Sequence, residues 1–251
     1  MTETLTIKIG DARLAAEQAG EGMPLIFLHA GVADRRMWRP QTADLGDTYQ
    51  TITYDRRGFG ETETAYDVFS HVEDLRAVLD RSGLTSAALI GCSQGGRLAI
   101  DFALAYPQRV RSLALVAPAV SGAPDPESYP PGVEQLDREM DAADEAGDLQ
   151  RINEIEAQLW LDGPTSRAGR VSGEVRDLFL DMNGIALAQP DLEQEIEPAS
   201  AYERLSSLSL PVLVVWGDLD FPHIQERCRF LMKTIPGARG VEIPGTAHLP
   251  N

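Results

Sequence analysis

With 251 residues, 43% of them hydrophobic and 24% charged, the chain is sized for one large domain or for a core carrying an insertion. Its formal net charge of −17 repels phosphate backbones and anionic membrane surfaces, which argues against nucleic acid or a membrane as partner. No apolar run nears the roughly 20 residues that span a bilayer and no secretory leader is visible; with only Cys92 and Cys228 to form a disulfide or bind zinc, a cytoplasmic, reduced protein is expected.

Thr4–Ile9 and Arg13–Gln18 read as an opening pair of strands. Pro24–His29 is a continuous apolar run, as in a strand buried on both faces. The short strand Thr51–Tyr54 leads into a turn rich in Gly and Arg, Asp55-Arg-Arg-Gly-Phe-Gly60. Val72, Leu75, Val78 and Leu79 have helical spacing within Phe69–Ser82, and Gly83 reads as the stop. Ala87–Gly91 is again a buried strand, Gln94–Tyr106 a helix and Ser112–Ala117 the next strand. Such strand–helix–strand units imply parallel strands with right-handed crossovers and helices on both sides, so the fold class is α/β.

The pattern then breaks. A Pro- and Gly-rich stretch, Pro118 to Pro131, precedes three helical segments: Val133–Ala146, Leu149–Leu161 and Gly173–Ala188. Strand character returns at Pro211–Trp216 and Gly240–Ile243. The expected organisation is therefore a core of residues 1–120 and 203–251 with a helical lid inserted at 121–202. Ser121 to Ser200 holds 19 Asp+Glu against 5 Lys+Arg, so most of the negative charge sits there. A solvated set of helix faces explains such a run, and so does a field at a pocket mouth.

Gly91-Cys92-Ser93-Gln94-Gly95 is the G-x-S-x-G arrangement. A serine hydroxyl is a poor nucleophile and must be held exposed beside a base. A tight strand-to-helix turn achieves this, and glycines two residues to either side give its backbone room. Here a strand precedes the motif and a helix follows it; the bland alternative is that Ser93 only caps that helix. Of the four histidines, His71 opens a helix on the far side of the sheet and reads as surface, and His223 reads as a cap or surface residue at a helix start. His248, in the loop after the last strand, falls at the carboxyl edge of the sheet, where such folds assemble sites. Either Asp218 or Asp220, at the end of the Val212–Val215 strand, is placed to orient an imidazole. The order Ser, Asp, His belongs to one fold. An oxyanion hole needs two backbone N–H groups. One is expected from Gln94 and the other from the loop His29-Ala-Gly-Val32, with His29 bracing that loop.

Together these pieces resemble the α/β-hydrolase superfamily, and the likeness runs over nearly the whole chain. It rests on the His-Ala-Gly loop, Asp55-Arg-Arg-Gly-Phe-Gly60, the turn at Ser93, Trp216-Gly-Asp-Leu-Asp220 and Pro244-Gly-Thr-Ala-His248. The resemblance selects Asp220 over Asp218 as the acid and Gly31 as the second oxyanion donor. Asp34-Arg-Arg-Met-Trp38 is most similar to small lid-bearing esterases and enol-lactone hydrolases. The expected activity is cleavage of a small neutral carboxylic ester or lactone through Ser93, Asp220 and His248, with no metal and no organic cofactor. The same triad serves perhydrolysis and carbon–carbon bond hydrolysis, and the fold also supports small-molecule receptors. Trp160, Leu161, Phe179 and Met182 are candidates for the inner face of the lid, and ordinary helix packing explains them equally well. Cys92 reads as a small buried core residue. Two departures stand out: Ala30 replaces the usual glycine of the His-Gly pair, and Asn251 comes three residues after His248 where relatives continue into a further helix, so a truncated chain is expected.

Overall fold

The computed structural model describes residues 2–65, 68–192 and 194–251. Eight strands form one sheet: β1 (Glu3–Ile9), β2 (Ala12–Ala19), β3 (Pro24–Leu28), β4 (Gln50–Tyr54), β5 (Ala87–Cys92), β6 (Val110–Val116), β7 (Val212–Gly217) and β8 (Arg239–Ile243). Their order in the sheet is β1-β2-β4-β3-β5-β6-β7-β8. β1 and β2 pair antiparallel, β2 pairs antiparallel with β4, and every pair from β4 to β8 is parallel. The opening hairpin needs only a short turn, whereas the parallel strands need crossovers. Those crossovers are α1 (Arg39–Leu45), α2 (His71–Arg81), α3 (Gln94–Ala105) and α7 (Pro222–Thr234). α1 has no buried residue and so lacks the apolar periodicity that would mark it in sequence.

The pleat divides the strand side chains between two apolar layers. Ile26 and Leu28 of β3, with Leu89, Leu115 and Val214, pack against Leu75, Val78 and Leu79 of α2, Phe102 of α3 and Leu231 of α7. Leu25 and Phe27 face the other way, toward Met37, Trp38, Ala88 and Val116. Farther along this second face, Met23, Ile90, Ala114 and Leu213 line an apolar trough of about 920 Å³.

β6 and β7 are joined by a long connection that contains α4 (Val133–Ala146), α5 (Leu149–Glu156) and α6 (Glu174–Leu187), with no strand of the sheet among its described residues. Sequence periodicity predicts one helix over Leu149–Leu161. Instead α5 ends at Glu156 and a π-helical turn, Ala157–Asp162, follows. Gly163 ends that turn at φ 103°, a conformation open to glycine.

The strand order reverses between β3 and β5, because the chain leaves β3 for β4 on one side and enters β6 from β5 on the other. At such a switch point the loops beyond the carboxyl ends diverge and leave a crevice. Register aligns those ends: Leu28 pairs with Gly91, Cys92 with Val116, Val116 with Val215, and Gly217 with Ile243. The loops carrying His29–Gly31, Ser93, Asp218–Asp220 and His248 therefore leave from one edge.

Candidate active site

Ser93 sits between β5 and α3 with φ 52° and ψ −115°, one of two non-glycine residues with positive φ among those described. Such a backbone costs of order 1–3 kcal/mol and persists only where its surroundings enforce it. The flanking glycines show the enforcement. A Cβ on Gly91 would lie 2.3 Å from the Gly95 carbonyl oxygen, and one on Gly95 would lie 2.2 Å from that of Leu28. The Ser93 N–H donates to the Val116 carbonyl (2.9 Å), and the Ser93 carbonyl accepts from Arg97 and Ala119 N–H (3.0 Å each). Ser93 holds the N-cap position of α3 but makes no capping hydrogen bond through its side chain, so capping does not account for the hydroxyl. The residue is half-buried.

His248 and Asp220 come from loops after β8 and β7. Nδ1 of His248 lies 2.8 Å from Oδ2 of Asp220, and both residues are 3% exposed. Oδ1 of Asp220 accepts the Phe221 N–H at 2.7 Å. With the carboxylate as acceptor, Nδ1 carries the proton and Nε2 is left with its lone pair. Asp218 is exposed and accepts the Gly245 N–H at 2.7 Å, which ties the β7 loop to the His248 loop. Gly217 permits that contact, since a Cβ there would come 2.1 Å from the Thr246 carbonyl oxygen. Next to Ser93, the Cys92 thiol lies 3.9 Å from the His248 carbonyl, which sets the histidine loop against the strand-to-helix turn. Burial pushes that thiol above its ordinary range, in keeping with an inert packing role.

The loop after β3 is built around His29. Its Nδ1 lies 2.7 Å from the Ala30 carbonyl, and its Nε2 accepts the Arg56 N–H at 3.0 Å. Burial first, then the Arg56 charge, holds the imidazole well below its ordinary range, so it is neutral. A Cβ on Gly31 would meet the Gln94 carboxamide at 2.6 Å, so a side chain there would have to displace that carboxamide. Gly31 and Gln94 are thus in direct contact across the crevice.

Trp160 lies in the π-helical turn with its ring centroid 4.8 Å from that of His248 and 5.1 Å from that of Phe221. Leu161 and Phe179 are buried together and pack on Val32 and Leu249, while Met182 joins the layer of Phe27 and Trp38. Two histidines depart from expectation. His71 is half-buried rather than free on the surface: its Nδ1 is buried without a hydrogen bond, and its ring lies against Phe69 in a recess shared with Arg56, Gln94 and Glu195. The segment around Glu195 covers it, pairing with Phe69 through Phe69 N–H to Gln194 O (3.2 Å) and Ile196 N–H to Phe69 O (2.7 Å). His223 neither caps α7, whose N-cap is Phe221, nor stands free; half-buried, it packs edge-on against Tyr129.

Two further groups carry no local sequence signal. The Asp162 carboxylate, fully buried in an acidic segment, accepts the Gly169 and Val171 N–H groups (2.8 Å each) and Arg176 Nη1 (2.9 Å). Arg170 donates to the Asp162 carbonyl (2.6 Å) and to the Gly245 carbonyl (2.9 Å), which joins the helical segment to the His248 loop.

Residues 23–251 match the model of a family described by its alpha/beta hydrolase fold. The chain belongs to that family. Among relatives, the AB hydrolase superfamily protein YisY of Bacillus subtilis is 27% identical over 226 residues, covering 82% of this chain and 78% of that protein. A thermophilic esterase from Thermogutta terrifontis superposes with a TM-score of 0.76 at 28% identity, over 99% of this chain and 92% of that one. An enol-lactonase from Burkholderia xenovorans shares the fold, with a TM-score of 0.78 at 21% identity over 98% and 94% of the two chains. No helix among the described residues is long and apolar enough to cross a membrane.

Proposed function

We propose that this α/β hydrolase cleaves a small neutral carboxylic ester or lactone through Ser93, His248 and Asp220. The observation that carries the reading is the buried 2.8 Å pair of His248 and Asp220 at the edge where Ser93 is held in a strained, half-exposed turn. That arrangement can act as a nucleophile, a base and the group that orients the base. Likeness to an esterase at 28% identity over nearly the whole chain supports it.

Nε2 of His248 takes the Ser93 proton as Oγ attacks the substrate carbonyl carbon. The N–H groups of Gly31 and Gln94 stabilise the tetrahedral oxyanion, and Asp220 stabilises the imidazolium. Collapse expels the alcohol, which takes the proton from His248 and leaves an acyl group on Ser93. His248 then deprotonates a water that attacks the acyl carbon, and collapse returns the proton to Ser93 and releases the acid. A lactone follows the same steps with its alcohol still tethered. Residues 121–202 act as the lid, and Trp160, against His248, Leu161, Phe179 and Met182 shape its inner side. The acidic surplus of this segment favours neutral over anionic substrates.

Turnover of a p-nitrophenyl ester tests the reading. Ser93→Ala lowers kcat by about 10³-fold or more, with the circular dichroism spectrum unchanged. A Ser93→Ala enzyme that retains wild-type turnover sinks the proposal.

A further inference from the structure

Arg56 lies in the turn after β4 and is 4% exposed. A buried cation is costly unless something compensates it. No carboxylate forms an ion pair with Arg56 among the described residues. Its partners are neutral oxygens: the carbonyls of His29 (3.4 Å) and Ala30 (3.3 Å), and Oε1 of Gln94, 3.3 Å from both Nη1 and Nη2. Nε makes no hydrogen bond, and the guanidinium lies 4.6 Å over the Phe59 ring. On its far side is a recess of about 120 Å³ shared with His71, Gln94, Arg97 and Glu195. Burial lowers the group to about 10, still high enough to keep it charged at neutral pH.

These acceptors sort into two sets. His29 and Ala30 are the residues that lead into Gly31, and Gln94 is the residue after Ser93. Arg56 also gives its own N–H to His29 Nε2, so backbone and side chain grip the same loop. The Gln94 carboxamide occupies the space where a Cβ on Gly31 would stand. One planar fork therefore spans the two chain segments whose amides receive the oxyanion. Arginine suits this task because its donors are fixed in one plane, whereas a lysine ammonium offers a point charge on a flexible stem. Oxyanion donors act within a narrow range of about 2.7–3.1 Å from the developing charge. Their spacing is sensitive to whatever holds the segments together.

We propose that Arg56 is a positioning residue that sets the separation of the Gly31 and Gln94 amides by clamping the His29–Ala30 carbonyls to the Gln94 carboxamide. The inference rests on the reading of those two amides as the oxyanion hole. Arg56 touches no reacting atom. It acts on the transition state through the two segments and leaves ground-state binding of the ester alone.

The test compares wild type, Arg56→Met, Arg56→Lys, Gln94→Leu and the double variant Arg56→Met/Gln94→Leu on a p-nitrophenyl ester. Arg56→Met keeps an unbranched apolar stem and loses the fork together with its contact over Phe59; Gln94→Leu keeps the backbone amide and loses Oε1. Each single variant lowers kcat by about 30- to 100-fold, the scale of a displacement near 1 Å, with KM within about 3-fold. The double variant is no worse than the poorer single one, because both cut the same link. Arg56→Lys recovers part of the loss. Affinity for a boronic acid that forms a tetrahedral adduct on Ser93 falls by the same factor as kcat, which a loss of packing alone would not produce. Wild-type kcat in folded Arg56→Met, a loss confined to KM, or additive effects overturn the proposal. If Arg56→Met does not fold, Gln94→Leu decides alone, since Gln94 is an exposed residue whose replacement leaves the core intact. Ser93→Ala run alongside separates the two failures. Turnover without Ser93 removes the triad reading, whereas Ser93-dependent turnover indifferent to Gln94 and Arg56 removes only the clamp.

Discussion

Both carboxylate oxygens of Asp220 are engaged inside the site, one with Phe221 N–H and the other with His248 Nδ1, so the group is fixed before any substrate arrives. Two residues earlier, Asp218 has the same side chain and an exposed position, and its contact is with a backbone amide of the histidine loop. Substitution by Asn separates the two roles. In Asp220→Asn a carboxamide faces Nδ1. If its N–H₂ donates there, the imidazole must protonate on Nε2 and loses the lone pair that the proposed mechanism uses as the base. The expected loss in kcat is about 10³- to 10⁴-fold, at unchanged KM. Asp218→Asn keeps an oxygen to accept the Gly245 N–H, and its kcat stays within about 3-fold of wild type. Steady-state kinetics on one ester decides both, and equal effects at the two positions would refute the assignment of the acid. The residues alone left Asp218 and Asp220 open, because both follow one strand within three positions; only the turn beyond Gly217 settles which carboxylate points inward.

Between elements, the backbone of the helical segment comes close to the loops that carry Asp220 and His248 at Gly163. A Cβ there would lie 2.6 Å from the Leu219 carbonyl oxygen and 3.3 Å from Ala247 Cβ, and the backbone φ of 103° disfavours any side chain. Gly163→Ala is therefore expected to push the π-helical turn, and Trp160 with it, away from His248. It lowers kcat/KM by about 10- to 100-fold and stability by about 1–3 kcal/mol. Urea unfolding and kinetics on the same preparation check it, and wild-type values in both would show that the docking there is slack. This contact also marks where sequence reading stops. β3 and β5 are legible because strands buried on both faces are continuous apolar runs, and the turn at Ser93 because strained backbone calls for glycine at fixed offsets. The π-helical turn is invisible, since Leu149–Leu161 keeps a helical apolar spacing throughout while hydrogen bonding shifts by one residue. Asp162 reads as one more solvated acid, and only the folded chain brings Arg176 and two backbone amides to its carboxylate. His71 reads as surface for the same reason, because the segment that covers it lies beyond α6. In sequence Arg56 is one more member of a Gly- and Arg-rich turn, and its burial is set by two loops distant in sequence.

At the scale of the whole molecule, stability depends on groups kept neutral by burial and on a charge that is far from balanced. Burial, then the Arg56 charge, holds His29 well below the ordinary histidine range near 6.5; burial and the charges of Arg56, Arg57 and Arg97 do the same for His71. The unfolded chain takes up these protons as pH falls through about 6.5 and the folded chain does not. This stability is complete above that pH and is lost as pH falls toward the folded values, at ~1.4 kcal/mol per pH unit for each histidine. Asp55, raised to about 6 mainly by burial, works in the opposite sense, its contribution present at low pH and lost as pH rises through about 6. The difference between two proteins isolates one histidine: His71→Phe gains on wild type by ~1.4 kcal/mol per pH unit below about pH 6.5, read from urea midpoints. A pH-independent difference would mean that His71 titrates normally. The charge is a separate lever. The charge is −17 overall with its surplus concentrated between 121 and 200, so the proposal of this segment as the lid carries with it a negative field across the entry path. Screening extends about 30 Å at 0.01 M salt and about 3 Å at 1 M, so the field governs entry only in dilute salt. Kinetics on a matched pair of esters, one neutral and one carrying a carboxylate remote from the scissile bond, reads it directly. In dilute salt kcat/KM is higher for the neutral ester, and added salt raises the value for the anionic ester alone. Parity of the two at 0.01 M salt, on the scale where screening is weak, would place the acidic surface away from the path of the substrate.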